Sequence, residues 1–578
     1  MRFFGLLFLL FFWFNFTKAQ STTNTFLTVF EQSNGTETAT YSETIQFYEN
    51  LASAHATIHI MPIGNTDSGE PLHLVTFNRD GQFDFEKIRR NKRVILINNG
   101  IHPGESDGID ATMMLFRDIA QGGISTPQNT VLVTIPIYNV GGSLNRNSST
   151  RANQIGPKAY GFRGNAQNYD LNRDFIKLDT ENAKTFTDIF HLVQPDVFID
   201  NHVSNGADYQ YTLTHLFTQH NKLGGPLGAF LQTTIIPALE TDLKQKNWDI
   251  TPYVNVFNRP PELGFQQFID YPRYSTGYTA LWHVLGMMVE THMLKPYKQR
   301  VEGTYEIMRS MLAITEREGY RITALRKAAF EAQANDLNYV LDWEVDTTKA
   351  TVFNFKGYES TMETSAVTGK LRLKFHKNRP FEKPVKYQNT YQPKQEVSIP
   401  EAYIIPQGWH QVIARLKRNR VFMKRFKTDT TMAVTLYKIT NFDTRKTPYE
   451  GHYQHYNTQV SGIKETRTFR AGDYWVPTNQ ASRRYLLETL EPIAPDSFFN
   501  WNFFDTILQR KEGFSPYVFE DTAEKMLTNN TPLRKAFEQK KLTDTAFASN
   551  SYAQLYWLYE HSSNSEPAYK QYPVYRVD

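Results

Sequence analysis

The sequence predicts an α/β protein. Its first part reads as a three-layer unit, a mixed and mostly parallel sheet with helices on both faces, followed by a C-terminal extension that is β-rich and then helical. Three observations predict this. Between residues 93 and 335 continuous apolar runs alternate with helical stretches, and strands that are apolar on both sides belong to sheets covered on both faces. After residue 340 polar and apolar residues alternate, as in antiparallel strands with one face in water. Near residue 480 helical spacing returns.

The elements follow in order. Met1-Arg2 precedes the apolar run "FFGLLFLLFFWF", and the small residues Thr17 and Ala19 stand before Gln20. A positive start, a short apolar stretch and small residues at its end predict a signal peptide over residues 1–19. The run is too short for the ~20 residues that cross a bilayer, and no later segment is long and apolar enough, so no membrane span is expected after cleavage. The protein is expected to be secreted or periplasmic. Residues 20–92 mix turn signals with short helical stretches such as "SETIQFYENLASAH". Strand-type runs then recur as "RVILIN", "TVLVTIPIYN", "DVFIDNH" and "GMMVETH", with "ATMMLFRDIAQ" and "AKTFTDIFHLV" as helices between them. A long charged helical stretch from Tyr297 closes this unit, which is bounded at 20–335. Residues 336–475 form the expected β-rich domain, with alternation in "GKLRLKFHKN" and "TMAVTLYKITNFDT". Residues 476–578 form the mixed helical region, with "ASRRYLLETLEP" and "SYAQLYWLYEHS".

Composition narrows the classes. The chain has 578 residues, a net charge of +4, 40% hydrophobic and 21% charged residues. Such a balance carries no electrostatic footprint for nucleic acid. There is no cysteine, which excludes a thiol nucleophile and a thiolate metal site. Exported eukaryotic domains usually carry disulfides, so export without cysteine points to a bacterial protein. Nothing in the sequence sets an oligomeric state.

The candidate chemistry collects where apolar strands end. His102 and Glu105 follow "VILI", His202 ends "DVFIDNH", and Glu290 ends "GMMVE". In open α/β sheets, sites form outside the carboxyl ends of the strands. Two histidines and one carboxylate are the usual protein share of a catalytic zinc site, with one position left for water. A further, uncoordinated carboxylate can take a proton from that water. Singly each residue has a plainer explanation: an accidental HxxE, a structural histidine, a buried Glu paired with an Arg. Their shared placement at strand ends joins them. In "YGFRGNAQNYDLNRDF", Arg163 and Arg173 sit in a Gly/Asn-rich loop. Guanidinium forks grip carboxylates and can stabilise an oxyanion. Equally, the two arginines could hold the loop together through Asp170 and Asp174.

The order HPGE, FRGNAQNYDLNRDF, a strand-ending DNH and VETH resembles the zinc metallocarboxypeptidases of the carboxypeptidase A type, over about residues 40–330. The resemblance implies a zinc carboxypeptidase-like fold, a peptide substrate and one zinc per chain held by His102, Glu105 and His202. It implies that Glu290 is the general base and that Arg163, nine residues before Asn172, polarises the scissile carbonyl. Asn172 and Arg173 would grip the substrate's terminal carboxylate. Where the family often has an Asn-Pro-Asp-Gly turn, this chain has Asn139-Val140-Gly141-Gly142, so Arg146 and Arg151 compete with Arg163. The family's capping tyrosine falls in "DYPRYSTGYTALW", where Tyr271, Tyr274 and Tyr278 qualify and Tyr274 is preferred. The stretch from Gly472 to Leu508 looks like the C-terminal extension of large bacterial members. The expected activity is release of C-terminal residues by zinc-dependent hydrolysis. A zinc amidase acting on cell-wall muropeptides or N-acyl amino acids would use the same groups. A non-catalytic binding protein on this scaffold would need a lost ligand or base, and all four are present.

Overall fold

The computed structural model describes residues 26–578; the expected signal peptide over 1–19 lies outside the described residues. Its frame is an eight-stranded sheet in the order β1-β2-β4-β3-β5-β9-β6-β7. The strands are β1 (Ile58–Asn65), β2 (Pro71–Phe77), β3 (Arg93–Asn98), β4 (Thr130–Ile135), β5 (Val197–Ser204), β6 (Leu213–Phe217), β7 (Ile250–Pro252) and β9 (Leu285–His292). The short β8 (Phe265–Gln266) pairs instead with the C-terminal region. β4, β3, β5 and β9 run parallel, while β1, β2 and β6 join antiparallel. The sheet is therefore mixed around a parallel centre, as the apolar runs predict.

Every residue of β3, β4 and β5 is buried, which is why they contain the apolar runs Val94–Ile97, Val131–Val133 and Val197–Ile199. The hairpin of β1 and β2 falls in the segment whose spacing suggests turns and short helices. The reason is its place at the sheet edge: β1 is largely half-exposed and needs no continuous apolar face.

Side chains leave the sheet alternately toward two layers. Ile95, Ile97, Val197, Ile199 and Val289 pack under the helices Tyr41–Ala54, Asp107–Ala120 and Tyr297–Ala332. Val94, Leu96, Val133 and Phe198 meet the helix Glu181–Val193 on the opposite side. That second core does not stop at residue 335: Tyr403, Ile405, Leu486, Leu487, Phe498 and Tyr572 belong to it. Each such fully buried large side chain contributes roughly 1.5–3 kcal/mol of apolar burial, so the C-terminal region is fastened to the sheet by its own core residues.

The C-terminal region itself holds further sheets, one of six strands, with long hairpins Thr351–Thr364/Leu371–Gln388 and Thr430–Thr444/His455–Phe469. One helix, His410–Arg418, interrupts its strands, and helices Arg483–Leu490, Pro516–Asn529, Thr531–Thr543 and Ser551–Glu560 follow. Among the described residues, no helix is long and apolar enough to cross a membrane.

Two local expectations change. His202 and Glu290 do not end their strands, because β5 and β9 stay paired as far as Ser204 and His292. The same register sets His202 directly beside Glu290.

Candidate active site

The site grows from the carboxyl edge of the parallel strands. After β3 the chain turns tightly, with the Glu105 N–H donating to the His102 carbonyl at 2.7 Å, and the helix Asp107–Ala120 begins at once. That helix lies flat against β5. A Cβ on Gly108 would come within 2.4 Å of the Asn201 Cβ, so only glycine permits the approach. His102 and Glu105 are thereby brought to His202.

All three side chains are buried. Nδ1 of His102 lies 3.4 Å from Glu105 Oε2, and Nδ1 of His202 lies 3.3 Å from the same oxygen. The two rings sit edge to face at 5.2 Å, and one ligand atom from each residue lies within 4.8 Å of the others. The outer ring nitrogens are both occupied: His102 Nε2 meets Asp170 Oδ1 at 2.8 Å, and His202 Nε2 meets Asp200 Oδ2 at 2.9 Å. A carboxylate behind a histidine fixes the ring and the tautomer of a metal ligand. The inner Nδ1 of His102 is buried without a hydrogen-bond partner, an arrangement that is costly unless something binds it. Two nitrogens, one carboxylate and no thiolate fit zinc, and His102, Glu105 and His202 are the residues that could hold it.

The carboxylates divide by environment. Burial pushes Glu105 up, but Arg151 and then His102 outweigh it and hold the group well below the carboxylate range. Burial likewise raises Asp170, and His102, Arg163 and Arg173 more than reverse it. Glu290 goes the other way. Burial pushes it up to about 7, with Glu105 adding to the rise while His202 and Arg163 oppose it. A carboxyl that ionises near neutrality can take and return a proton.

Glu290 and the three metal-ligand candidates line a cleft of about 600 Å³, together with Arg151, Arg163, Asn172, Arg173 and Tyr274. Of the competing arginines, Arg146 is spent on the backbone carbonyls of Thr38, Ala39 and Ala159 and does not line this cleft. Arg163 donates to Asp170 Oδ2 at 2.8 and 3.0 Å and reaches Glu105 Oε1 at 3.3 Å. Arg151 binds that same Oε1 at 2.7 Å. Both thus face the metal end. Arg173 lies with its guanidinium 4.6 Å from the Tyr274 ring centroid and 3.8 Å from Asp170. Asn172 Oδ1 accepts from the Ser275 N–H at 3.3 Å, tying the arginine loop to the tyrosine segment. Among the candidate tyrosines, Tyr274 lines the cleft. Tyr271 instead donates to Asp342 and Tyr278 is buried against Asn419.

The loop-pairing alternative holds in part, since Asp170 pairs with Arg163, but Asp174 takes Lys177 at 2.8 Å instead of an arginine. The sequence reading missed Arg151 as a Glu105 partner, and it missed Asp170 and Asp200 as histidine partners. For Asp200 a signal existed: two residues before His202 on one strand, it shares that histidine's face.

Residues 44–195 match the family model described as zinc carboxypeptidase. No curated protein matches the chain. Solved structures similar to it include a metallo-carboxypeptidase from Burkholderia cenocepacia, at 15% identity over 48% of this chain and 69% of that one, with a TM-score of 0.34. A metallo-carboxypeptidase from Pseudomonas aeruginosa gives 12% identity over 49% and 69%, with a TM-score of 0.37. The carboxypeptidase A from Helicoverpa armigera gives 13% over 48% and 73%, with a TM-score of 0.36. The segment that matches the family model contains both HPGE and DLNR, so residues 44–195 are similar to zinc carboxypeptidases, and the His102–Glu105–His202 set could hold a metal ion.

Proposed function

We propose that the protein removes residues from the C-terminus of peptides. The observation that carries this reading is the composition of one cleft: the Arg173 guanidinium, with Asn172 and Tyr274 beside it, shares that cleft with Glu290 and the His102–Glu105–His202 set. A guanidinium fork takes a carboxylate in two parallel hydrogen bonds. A peptide held there by its terminal carboxylate presents its last peptide bond, and no other, to the far end of the cleft. Zinc, when bound, supplies positive charge that makes a water more acidic and a carbonyl more electrophilic. Glu290 removes a proton from the attacking water as its oxygen bonds to the carbonyl carbon. Arg163, after exchanging part of its contact with Asp170, donates to the oxyanion. Glu290 then delivers the proton to the departing amine nitrogen as the carbon–nitrogen bond breaks.

The test is a panel read by mass spectrometry: free-acid peptides, purified muropeptides and N-acyl amino acids. Stepwise loss of single C-terminal residues from the free-acid peptides is expected. Turnover confined to muropeptides or N-acyl amino acids would replace this reading with a zinc amidase. The export expected from residues 1–19 belongs to the same proposal, and N-terminal sequencing of protein from the native host checks it, with Gln20 as the predicted first residue.

A further inference from the structure

One of the turns by which the C-terminal region touches the site carries Glu450. Tyr449 to His452 form it, with the two backbones bonded to each other at 2.7 and 3.1 Å. It is pressed against the loop that precedes the arginine clamp. At Gly451, φ is +78°, and a Cβ there would come within 2.5 Å of the Tyr169 hydroxyl; both facts demand glycine. His452 Nε2 meets Asp179 Oδ2 at 2.7 Å, and the Tyr449 ring stacks on Trp501 at 6.0 Å. Seated this way, the turn delivers Glu450, whose Oε2 accepts from the backbone N–H of Asp170 at 2.8 Å. Asp170 is the group that holds His102 Nε2 and Arg163 and lies within an ion-pair distance of Arg173.

We propose that Glu450 is a positioning residue of this site: by fixing the Asp170 backbone it sets His102 at one end of the cleft and the Asn172–Arg173 clamp at the other. The metal half of this proposal stands on the ligand geometry, and the clamp half rests on the carboxypeptidase reading. Half-buried, Glu450 also adds negative charge near Arg173, so it opposes a substrate carboxylate while it holds the loop. A second contact of the same kind lies across the clamp. Asp496, also C-terminal, takes the Arg273 N–H at 2.9 Å and its guanidinium at 2.8 Å, immediately before Tyr274. The region beyond residue 335 therefore grips both segments from which the clamp is built.

Glu450→Gln and Glu450→Ala separate the two effects. The glutamine oxygen can still accept from Asp170 but carries no charge; alanine loses both. Two readouts are taken on the zinc-loaded, full-length protein. The first, the rate of zinc loss to a chelator, needs no substrate. Groups behind a metal-ligating histidine are typically worth 10–100-fold in metal affinity, and Glu450 stands one step further out, so zinc loss about three- to tenfold faster is expected for Glu450→Ala. Glu450→Gln should restore the wild-type rate. The second is kinetic. Glu450→Ala should raise KM for a free-acid peptide, while Glu450→Gln should lower it, because the clamp keeps its place and loses a competing charge. Wild-type zinc loss in Glu450→Ala would overturn the proposal. So would equal losses in both variants accompanied by equal falls in Tm, which would make Glu450 a stability contact only. If the wild type cleaves no peptide, the carboxypeptidase reading fails by itself and the chelator experiment still decides the role of Glu450 at the metal end.

Discussion

The two ends of the cleft are built on opposite principles. At the metal end the side chains of His102, Glu105 and His202 are 3%, 4% and 2% exposed. Each is held by charged partners: Asp200 from β5, and Arg151, Arg163 and Asp170 from the loop that precedes Leu171. At the clamp end Arg173 is 21% exposed and Arg163, between the two ends, 45%. Tyr274 caps no strand; it opens a short helix beneath the arginine. Burying like and unlike charges together is costly unless the remaining lone pairs are satisfied, and at the metal end Asp170, Asp200, Arg151 and Arg163 bind the outer atoms of the three side chains. At the other end Arg173 is partly exposed, which on the proposed reading leaves its guanidinium available to a substrate carboxylate. On that reading the metal end would carry the chemistry and the clamp end would choose the bond.

Substitutions should respect that division. The largest effect belongs to the metal end. His202→Ala removes a buried ligand and should lose most of the zinc, measured as metal per chain; full occupancy would show that another residue completes the set. Glu290→Gln should keep zinc and Tm yet lose about 10²–10⁴ in kcat, the range of base catalysis. A variant with near-normal turnover would remove Glu290 from the role. Its ionisation adds a pH test. The base must be charged, so kcat/KM should fall as pH drops through the Glu290 pKa. Because burial and the neighbouring charges together place that group at about 7 and a neighbouring dication favours its charged form, the acid limb of the zinc enzyme should lie below 7. A limb at or above 7 would contradict the placement of Glu290 beside the metal.

Asp200→Asn comes next. It leaves the ligands in place but weakens the grip on His202, and should cost about 10–100-fold in zinc affinity by chelator competition, with carboxylate preference unchanged. Tyr274→Ala is the smallest. A ring under a partly exposed guanidinium is worth about 0.5–1 kcal/mol, so a two- to fivefold rise in KM is expected, with zinc content unaltered. If Tyr274→Ala lost zinc, the two ends would not be separable.

Much of the metal end was legible because it obeys local rules. "VILI", "DVFIDNH" and "GMMVE" announce buried parallel strands, and the sites of such sheets lie at their carboxyl ends. What was not legible was pairing across distance. Asp170 lies 68 residues from His102, and no spacing rule joins them. The three candidate tyrosines share one short stretch, and only the helix at Ser275–Ala280 turns Tyr274 to the cleft. The hairpin of β1 and β2 was missed because an edge strand needs one apolar side at most. Alternation likewise showed that the strands beyond residue 340 bury one face, but not that Tyr403 and Leu486 share a core with Val94 and Phe198. A periodic pattern says which face is covered and not by what.

The most direct test of the account compares two peptides that differ only at the last group, a free carboxylate in one and a carboxamide in the other. Zinc-loaded wild-type protein should release the final residue of the acid and act poorly on the amide. In Arg173→Ala most of that difference should vanish, through a loss of about ten- to a hundredfold in kcat/KM on the acid, the worth of a charge-assisted hydrogen bond. Equal cleavage of both peptides by the wild type would contradict the claim that this cleft selects a peptide by its terminal carboxylate.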